Sequence, residues 1–164
     1  MKYPESMIQK VSLRKCKDLY QVAIGNFALF SQTQGAHWNY VGLDFASLHV
    51  LFEQQYQDLY LAVDLLAERI RALGDAAPLD IMEMSRELEQ IPWFESAKAQ
   101  GASRQWIETL IRNHASFRVL LNSAITTYSD SGDSVTHDML VARLMFHEKA
   151  LWMLRAVSYG DADA

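Results

Sequence analysis

At 164 residues, half of them hydrophobic and only three of them proline, the chain is long enough to bury a sizeable core and suits an all-helical domain. A formal charge of −5 argues against the basic footprint of a nucleic-acid binder. No apolar run approaches the roughly eighteen residues of a membrane span. The single cysteine, Cys16, leaves no internal disulfide, and MKYPESMIQK lacks the apolar segment of a secretory leader. A buried, inert thiol in the reducing cytoplasm is expected.

The first helix is predicted over residues 6–34, where Leu13, Cys16, Tyr20, Ala23, Ile24, Phe27 and Phe30 recur at three- and four-residue steps. Gly35 should loosen its end, leaving His37, Trp38 and Asn39 in a turn. Gly42 interrupts the chain again, and Asp44 is placed to cap a second helix that stops at Leu73-Gly74. Residues 75–101 are too long for a helix hairpin; within them 78–90 reads as a short helix closed by Pro92. The third long helix begins near Ser103, with Trp106, Leu110, Phe117, Leu121, Ala124 and Tyr128 on its apolar side, and ends in the turn SDSGDS. The fourth covers 135–157 through Leu140, Leu144, Leu151 and Leu154, and the acidic tail GDADA is expected to be mobile. The expected fold is all-α, a single domain over 1–164: a four-helix bundle with a short extra helix in the crossover between its second and third long helices.

The second helix carries the chemistry. With His49 at zero, His49, Glu53, Asp64 and Glu68 fall near roughly 0°, 40°, 60° and 100° on the helical wheel. Imidazole and carboxylate on one stripe suit iron, zinc or manganese. Leu48, Phe52, Leu59, Ala62, Val63, Leu66, Ile70 and Leu73 form the apolar stripe, centred near about 265° and facing the bundle, so the polar stripe faces outward. His49 and Asp64 lie roughly 22 Å apart along the axis, too far for one ion to bridge. They belong instead to two pairs at i,i+4 spacing, His49/Glu53 and Asp64/Glu68. A second copy crossing antiparallel near Asp58 and Leu59 would set each pair opposite the other, twice, because a two-fold interface repeats every contact. Tyr56 and Tyr60 would pack at its centre, and His37 could add a third ligand. The geometry thus predicts two metal sites per dimer, each shared between chains.

Carboxylates at this spacing are commonly only solvated surface; the two pairs together with the upstream histidine raise the metal reading. Of the other histidines, none of His114, His137 and His147 has the Glu-x-x-His partner of an internal di-iron bundle, and a structural or surface role is expected for them. Asp130, Asp133 and Asp138 surround the last turn, where capping explains them unaided. No Gly-rich phosphate loop, Cys-x-x-Cys pair or nucleophile elbow occurs. The tryptophans mostly sit at core spacing, except Trp38, which adjoins a ligand candidate.

HWNYVG, SLHVLFE and the D-x-x-x-E of VDLLAERIRALG, in that order and spacing, resemble the central signature of the Dps-type miniferritins, the DNA-binding proteins from starved cells. THDMLVARLMFHEKALWMLRA resembles their last helix, so the likeness covers nearly the whole chain. It implies a di-iron ferroxidase centre between two-fold-related subunits, with His37, His49 and Glu53 from one and Asp64 and Glu68 from its neighbour. Glu53 stands where the family uses Asp or Glu, and the longer arm would alter the iron spacing slightly. Trp38 matches the family's tryptophan beside the centre, which takes up stray oxidising equivalents.

The resemblance further implies a hollow dodecamer with an acidic pore at a three-fold axis, for which Asp130, Asp133 and Asp138 become candidates. The activity implied is oxidation of Fe(II), preferably by hydrogen peroxide, and storage of the ferric mineral, protecting against oxidative damage. Zinc or manganese could take the same ligands without turnover. The alternative is a DNA-compacting stress protein with incidental metal binding. Family members that bind DNA through a tail carry a Lys/Arg-rich arm, whereas here Lys2 alone precedes the expected helix, with Lys10, Arg14, Lys15 and Lys17 inside it.

Overall fold

The computed structural model describes residues 15–78, 80–91, 94–96 and 103–160, apart from the side chains at 103, 159 and 160. Among the described residues five helices follow in order: α1 (Lys17–Asn39), α2 (Phe45–Ala72), α3 (Ile81–Leu88), α4 (Ser103–Asp130) and α5 (Ser134–Gly160). There is no strand among the described residues.

Specific contacts fix the topology. Asn26 donates to the Leu59 carbonyl while His37 meets His49, so α1 and α2 run antiparallel. Gln32 meets Asn113 and Asp18 meets Thr127, which makes α4 antiparallel to α1. Asp58 with Arg143 and Arg69 with Asp133 do the same for α2 and α5. The result is the expected bundle of four long helices, with α3 inside the single long crossover.

The apolar periodicity explains the packing. Leu48, Phe52, Leu59, Ala62, Leu66 and Ile70 of α2 are all buried, as the stripe predicts, while Val63 and Leu73 are half-buried. One core cluster joins Leu19, Val22, Leu29, Leu66, Phe117, Leu121 and Leu140. A second, at the end of the α1–α2 connection, joins Tyr40, Leu48, Phe52, Ile107, Leu110 and Leu154. Each fully buried large side chain of this kind stabilises the fold by roughly 1.5–3 kcal/mol.

The helix ends are as specific as the core. Gly74 takes φ 85°, with its amide on the Arg71 carbonyl and the Asp75 amide on the Ile70 carbonyl, the Schellman closure a left-handed glycine permits. Asp75 then accepts from the backbone N–H and thiol of Cys16, tying the entry of α1 to the exit of α2. Gly132, at φ 75°, closes α4 in the same way. Asp44 precedes α2 as expected, but its side chain makes no capping bond; the Ser47 hydroxyl instead donates to the Asp44 carbonyl. Asp80 does cap α3, accepting from the Glu83 amide.

Three expectations change. Helix α1 runs through Gly35 to Asn39, so His37 and Trp38 lie in its last turn and not in a separate one. One glycine costs a helix only about 1 kcal/mol relative to alanine. Burial of Ala36, His37 and Tyr40, with the Asn39 side-chain Nδ2 donating to the Gly35 carbonyl, outweighs it. At the other end, Lys15 and Cys16 form a turn ahead of Lys17, so Lys15 is outside the helix, and residues 6–14 lie beyond the described chain, as do Pro92 and residues 161–164, while Gly160, expected in the tail, ends α5. Finally, Trp152 is 65% exposed and not in the core.

Candidate metal centre

His37 and His49 face each other across the α1–α2 hairpin with stacked rings, centroids 3.8 Å apart and planes 21° from parallel. His37 Nδ1 lies 2.9 Å from the His49 carbonyl oxygen, and His49 Nδ1 lies 3.1 Å from the His37 carbonyl oxygen. A carbonyl only accepts, so both Nδ1 atoms carry the proton and both Nε2 atoms keep a lone pair. A carbonyl accepting from Nδ1 fixes the tautomer of a metal-binding imidazole. The His37 carbonyl belongs to the last turn of α1, where the helix provides it no partner, so the His49 ring also completes that helix end.

Aromatic rings wall the pair. Tyr56 meets His37 edge-on at 5.2 Å, and Phe45 lies 5.1 Å from His49. Tyr40 packs beneath on Phe52, and a Cβ at Gly42 would come within 2.8 Å of the Tyr40 hydroxyl, which explains the glycine in HWNYVG. Trp38 is 67% exposed beside the pair. Glu53 is half-buried one turn beyond His49 and accepts a long 3.4 Å bond from Gln57.

Asp64 and Glu68 lie far along α2, exposed. Among the described residues no group of three or more His, Cys, Asp or Glu side chains gathers within the one chain to hold a metal. The five candidates are therefore divided into His37, His49 and Glu53 at one end of the α2 face and Asp64 and Glu68 at the other. Between and around them Val50, Tyr60, Leu61 and Leu65 are half or more exposed. Asp58, its side chain 47% exposed, bonds Arg143 of α5 at 2.6 Å, and Leu59 is fully buried, so Leu59 does not face outward at the expected crossing point.

The acidic turn divides as well. Asp133 caps α5 by accepting from the Thr136 amide at 3.0 Å, and receives the Arg69 guanidinium on both oxygens at 2.8 and 2.9 Å. The Thr136 hydroxyl bond, opposed by burial and reinforced by the Thr136 amide and Arg69, holds the Asp133 carboxyl down to about 2. Asp130 is exposed, and Asp138 is exposed beside His137, 2.9 Å away. Arginine pairing and capping engage Asp133; Asp130 and Asp138 remain turned to the surface.

Several buried polar groups were not anticipated. Asn113 bonds Gln32 and both the amide and the carbonyl of Glu95, fastening the crossover to α1 and α4. Tyr20 donates to Glu83 and fastens α3. The available signal was a polar residue in a core register, Asn113 three residues after Leu110. His114 and His147 are both fully buried, their Nδ1 atoms 2.9 Å apart.

A ferritin-like domain model matches residues 17–158. The DNA protection during starvation protein 2 of Bacillus anthracis is 31% identical, over 78% of this chain and 85% of that protein. An uncharacterized low temperature-induced protein of Nostoc is also 31% identical, over 87% and 79%. Among solved structures, Dps from Staphylococcus aureus superposes with a TM-score of 0.79 at 30% identity, covering 87% of this chain and 93% of that one. Dps from Bacillus brevis gives 0.78 at 25%, covering 96% and 99%.

Proposed function

Since the chain belongs to the Dps-type miniferritins of the ferritin-like family, whose general work is iron storage and protection from oxidative stress, we propose that it is a ferroxidase that loads iron into a shell of its own copies. The reading rests on one observation above all: two imidazoles with lone pairs fixed on Nε2 stand at one end of an outward helix face, and a carboxylate pair stands at the other end. Two copies crossing antiparallel on this face bring His37, His49 and Glu53 of one against Asp64 and Glu68 of the other, twice per dimer. Exposed Val50, Tyr60, Leu61 and Leu65 give that contact an apolar component that a merely solvated face would lack.

The donor set fits Fe(II): neutral imidazole and carboxylate are borderline-to-hard ligands, and proton-bearing Nδ1 atoms leave nitrogen lone pairs for the metal. Iron here is substrate. Two Fe(II) held together each give one electron to hydrogen peroxide, the preferred oxidant; its O–O bond breaks, and two hydroxides leave without release of a hydroxyl radical. The protein supplies placement and charge. Trp38, exposed beside the histidines, intercepts stray oxidising equivalents. Exposed Asp130 and Asp138 serve the entry pore of a dodecameric shell, with Asp133 holding their turn in place. The protection of DNA in the relatives' names follows, on this reading, from removal of Fe(II) and peroxide in the cytoplasm.

The test is anaerobic loading with Fe(II), then stoichiometric hydrogen peroxide, following ferric absorbance in wild type and His49→Ala/Asp64→Ala. Ligand loss should slow oxidation by at least roughly tenfold to a hundredfold, the range seen when even supporting groups of a metal site are removed. Equal rates would reduce the outward stripe to an interface, and the reading as a DNA-compacting stress protein would move ahead.

A further inference from the structure

We propose that the His114–His147 pair is an acid-released latch that locks α4 to α5 in the core of the bundle. The two rings are fully buried, with Nδ1 facing Nδ1 at 2.9 Å. A bond of that length between two ring nitrogens holds one proton, so one Nδ1 donates and the other accepts. Both Nε2 atoms are buried without a hydrogen-bond partner among the described residues. Phe117 and Phe146 close on His147 edge-on at 4.6 and 5.1 Å.

Each neutral ring already holds one proton, on Nδ1 in the donor and on Nε2 in the acceptor, and a further proton has no acceptable place. On the accepting Nδ1 it would set two N–H groups against each other and break the bond. On the donor ring's buried Nε2 it would create a cation with no acceptor among the described residues. The charges around the pair add to the penalty. From α5, the Arg143 guanidinium acts on both rings; Asp58 of α2 holds one of its nitrogens, and Nε and Nη2 are buried without hydrogen-bond partners among the described residues. Arg118 of α4 and Glu148 of α5 pair with each other at the surface. Apart from His37 near its end, α1 buries only uncharged side chains, and α2 buries the neutral Gln55.

Burial first, and then Arg143, push His114 down to about 3, and burial, His114 and Arg143 hold His147 well below its ordinary value. Both shifts are downward, so the native contact is fully present above the unfolded histidine value of about 6.5 and weakens progressively as pH falls below it. The α4–α5 seam thereby becomes the acid-sensitive half of the bundle. In a storage shell this would make retention of the cargo conditional on pH, a consequence that depends on the proposed function; the latch itself does not.

Amide hydrogen exchange on the assembled wild-type protein from pH 7.5 to 5, corrected for intrinsic rates, tests it. Core amides around His114 and His147 should open up to about tenfold more per pH unit per proton taken up, relative to core amides around Val22 and Leu66. His114→Gln and His147→Gln should each flatten that dependence, while His137→Asn, altering an imidazole outside the pair, should preserve it. An equal rise at both ends in wild type, or an unchanged slope in folded Gln variants, overturns the latch. If neither Gln variant folds, the wild-type comparison between the two sets of amides decides alone.

Discussion

The molecule contains two close histidine pairs, one across each of its helix hairpins, and they are chemically opposite. His37 and His49 give their Nδ1 protons to backbone carbonyls and stand at the edge of the bundle with lone pairs left on Nε2. His114 and His147 spend their Nδ1 atoms on each other inside the core, and their Nε2 atoms have no hydrogen-bond partner among the described residues. The same residue type becomes a ligand or a packing element according to what meets Nδ1 and whether anything can reach Nε2. Count and spacing of histidines do not separate these cases; the partner atoms do.

Removing one member of each pair should separate stability from activity. The largest effect on stability is expected for His147→Ala, which leaves a cavity and an unpaired His114 and should cost about 3 kcal/mol in denaturant unfolding at pH 7.5. Fe(II) oxidation by the surviving folded protein should stay at the wild-type rate. His49→Ala should reverse the pattern: oxidation falls at least roughly tenfold, while stability drops by only about 1 kcal/mol, since a half-buried hydrogen bond is lost. Large stability losses in both variants would erase the distinction.

Acid should sharpen the contrast through a third group. The Asp133 carboxyl is lowered to about 2, so its contribution is complete above the unfolded value of about 3.8 and disappears as pH falls toward 2. Asp133→Asn should therefore cost about 1–2 kcal/mol at neutral pH, with the deficit closing as pH falls from about 3.8 toward 2, after the core histidines have begun to weaken the fold below about 6.5. The smallest effect is expected at Gln57, whose 3.4 Å bond to Glu53 is long and exposed. Gln57→Ala should shift stability by less than about 0.5 kcal/mol, and a change of more than about twofold in oxidation rate would give Gln57 a larger part in positioning Glu53.

What could be read in the sequence follows the reach of periodicity. The α2 stripe was legible because a 3.6-residue repeat is local, and Leu48, Phe52, Leu59, Leu66 and Ile70 are buried as that repeat requires. Gly74 was legible as a stop because only a left-handed residue closes that turn. The division of ligand candidates between two ends of one face was also visible, since it depends on helical rise alone. Gly35 misled, because its local preference lost to tertiary burial of Ala36 and His37. The reciprocal His37–His49 bonds, the core pair and the Asn113 junction were hidden for a shared reason: each joins residues whose meeting depends on how helices dock, which no single-helix pattern encodes.

The crossover carries a consequence for the order in which the chain assembles. Contacts inside the first hairpin span as few as 12 residues, from His37 to His49, and Arg118 reaches Glu148 across 30. The bonds that join the two hairpins span 81 residues at Gln32–Asn113, 85 at Asp58–Arg143 and 109 at Asp18–Thr127. Closing a longer loop carries a larger entropic penalty before any contact rewards it, so each hairpin zips as its own local event and their docking comes last. Mutations at Asp58 or Asn113 should accordingly speed unfolding while leaving the refolding rate almost untouched, the kinetic mark of contacts made after the barrier.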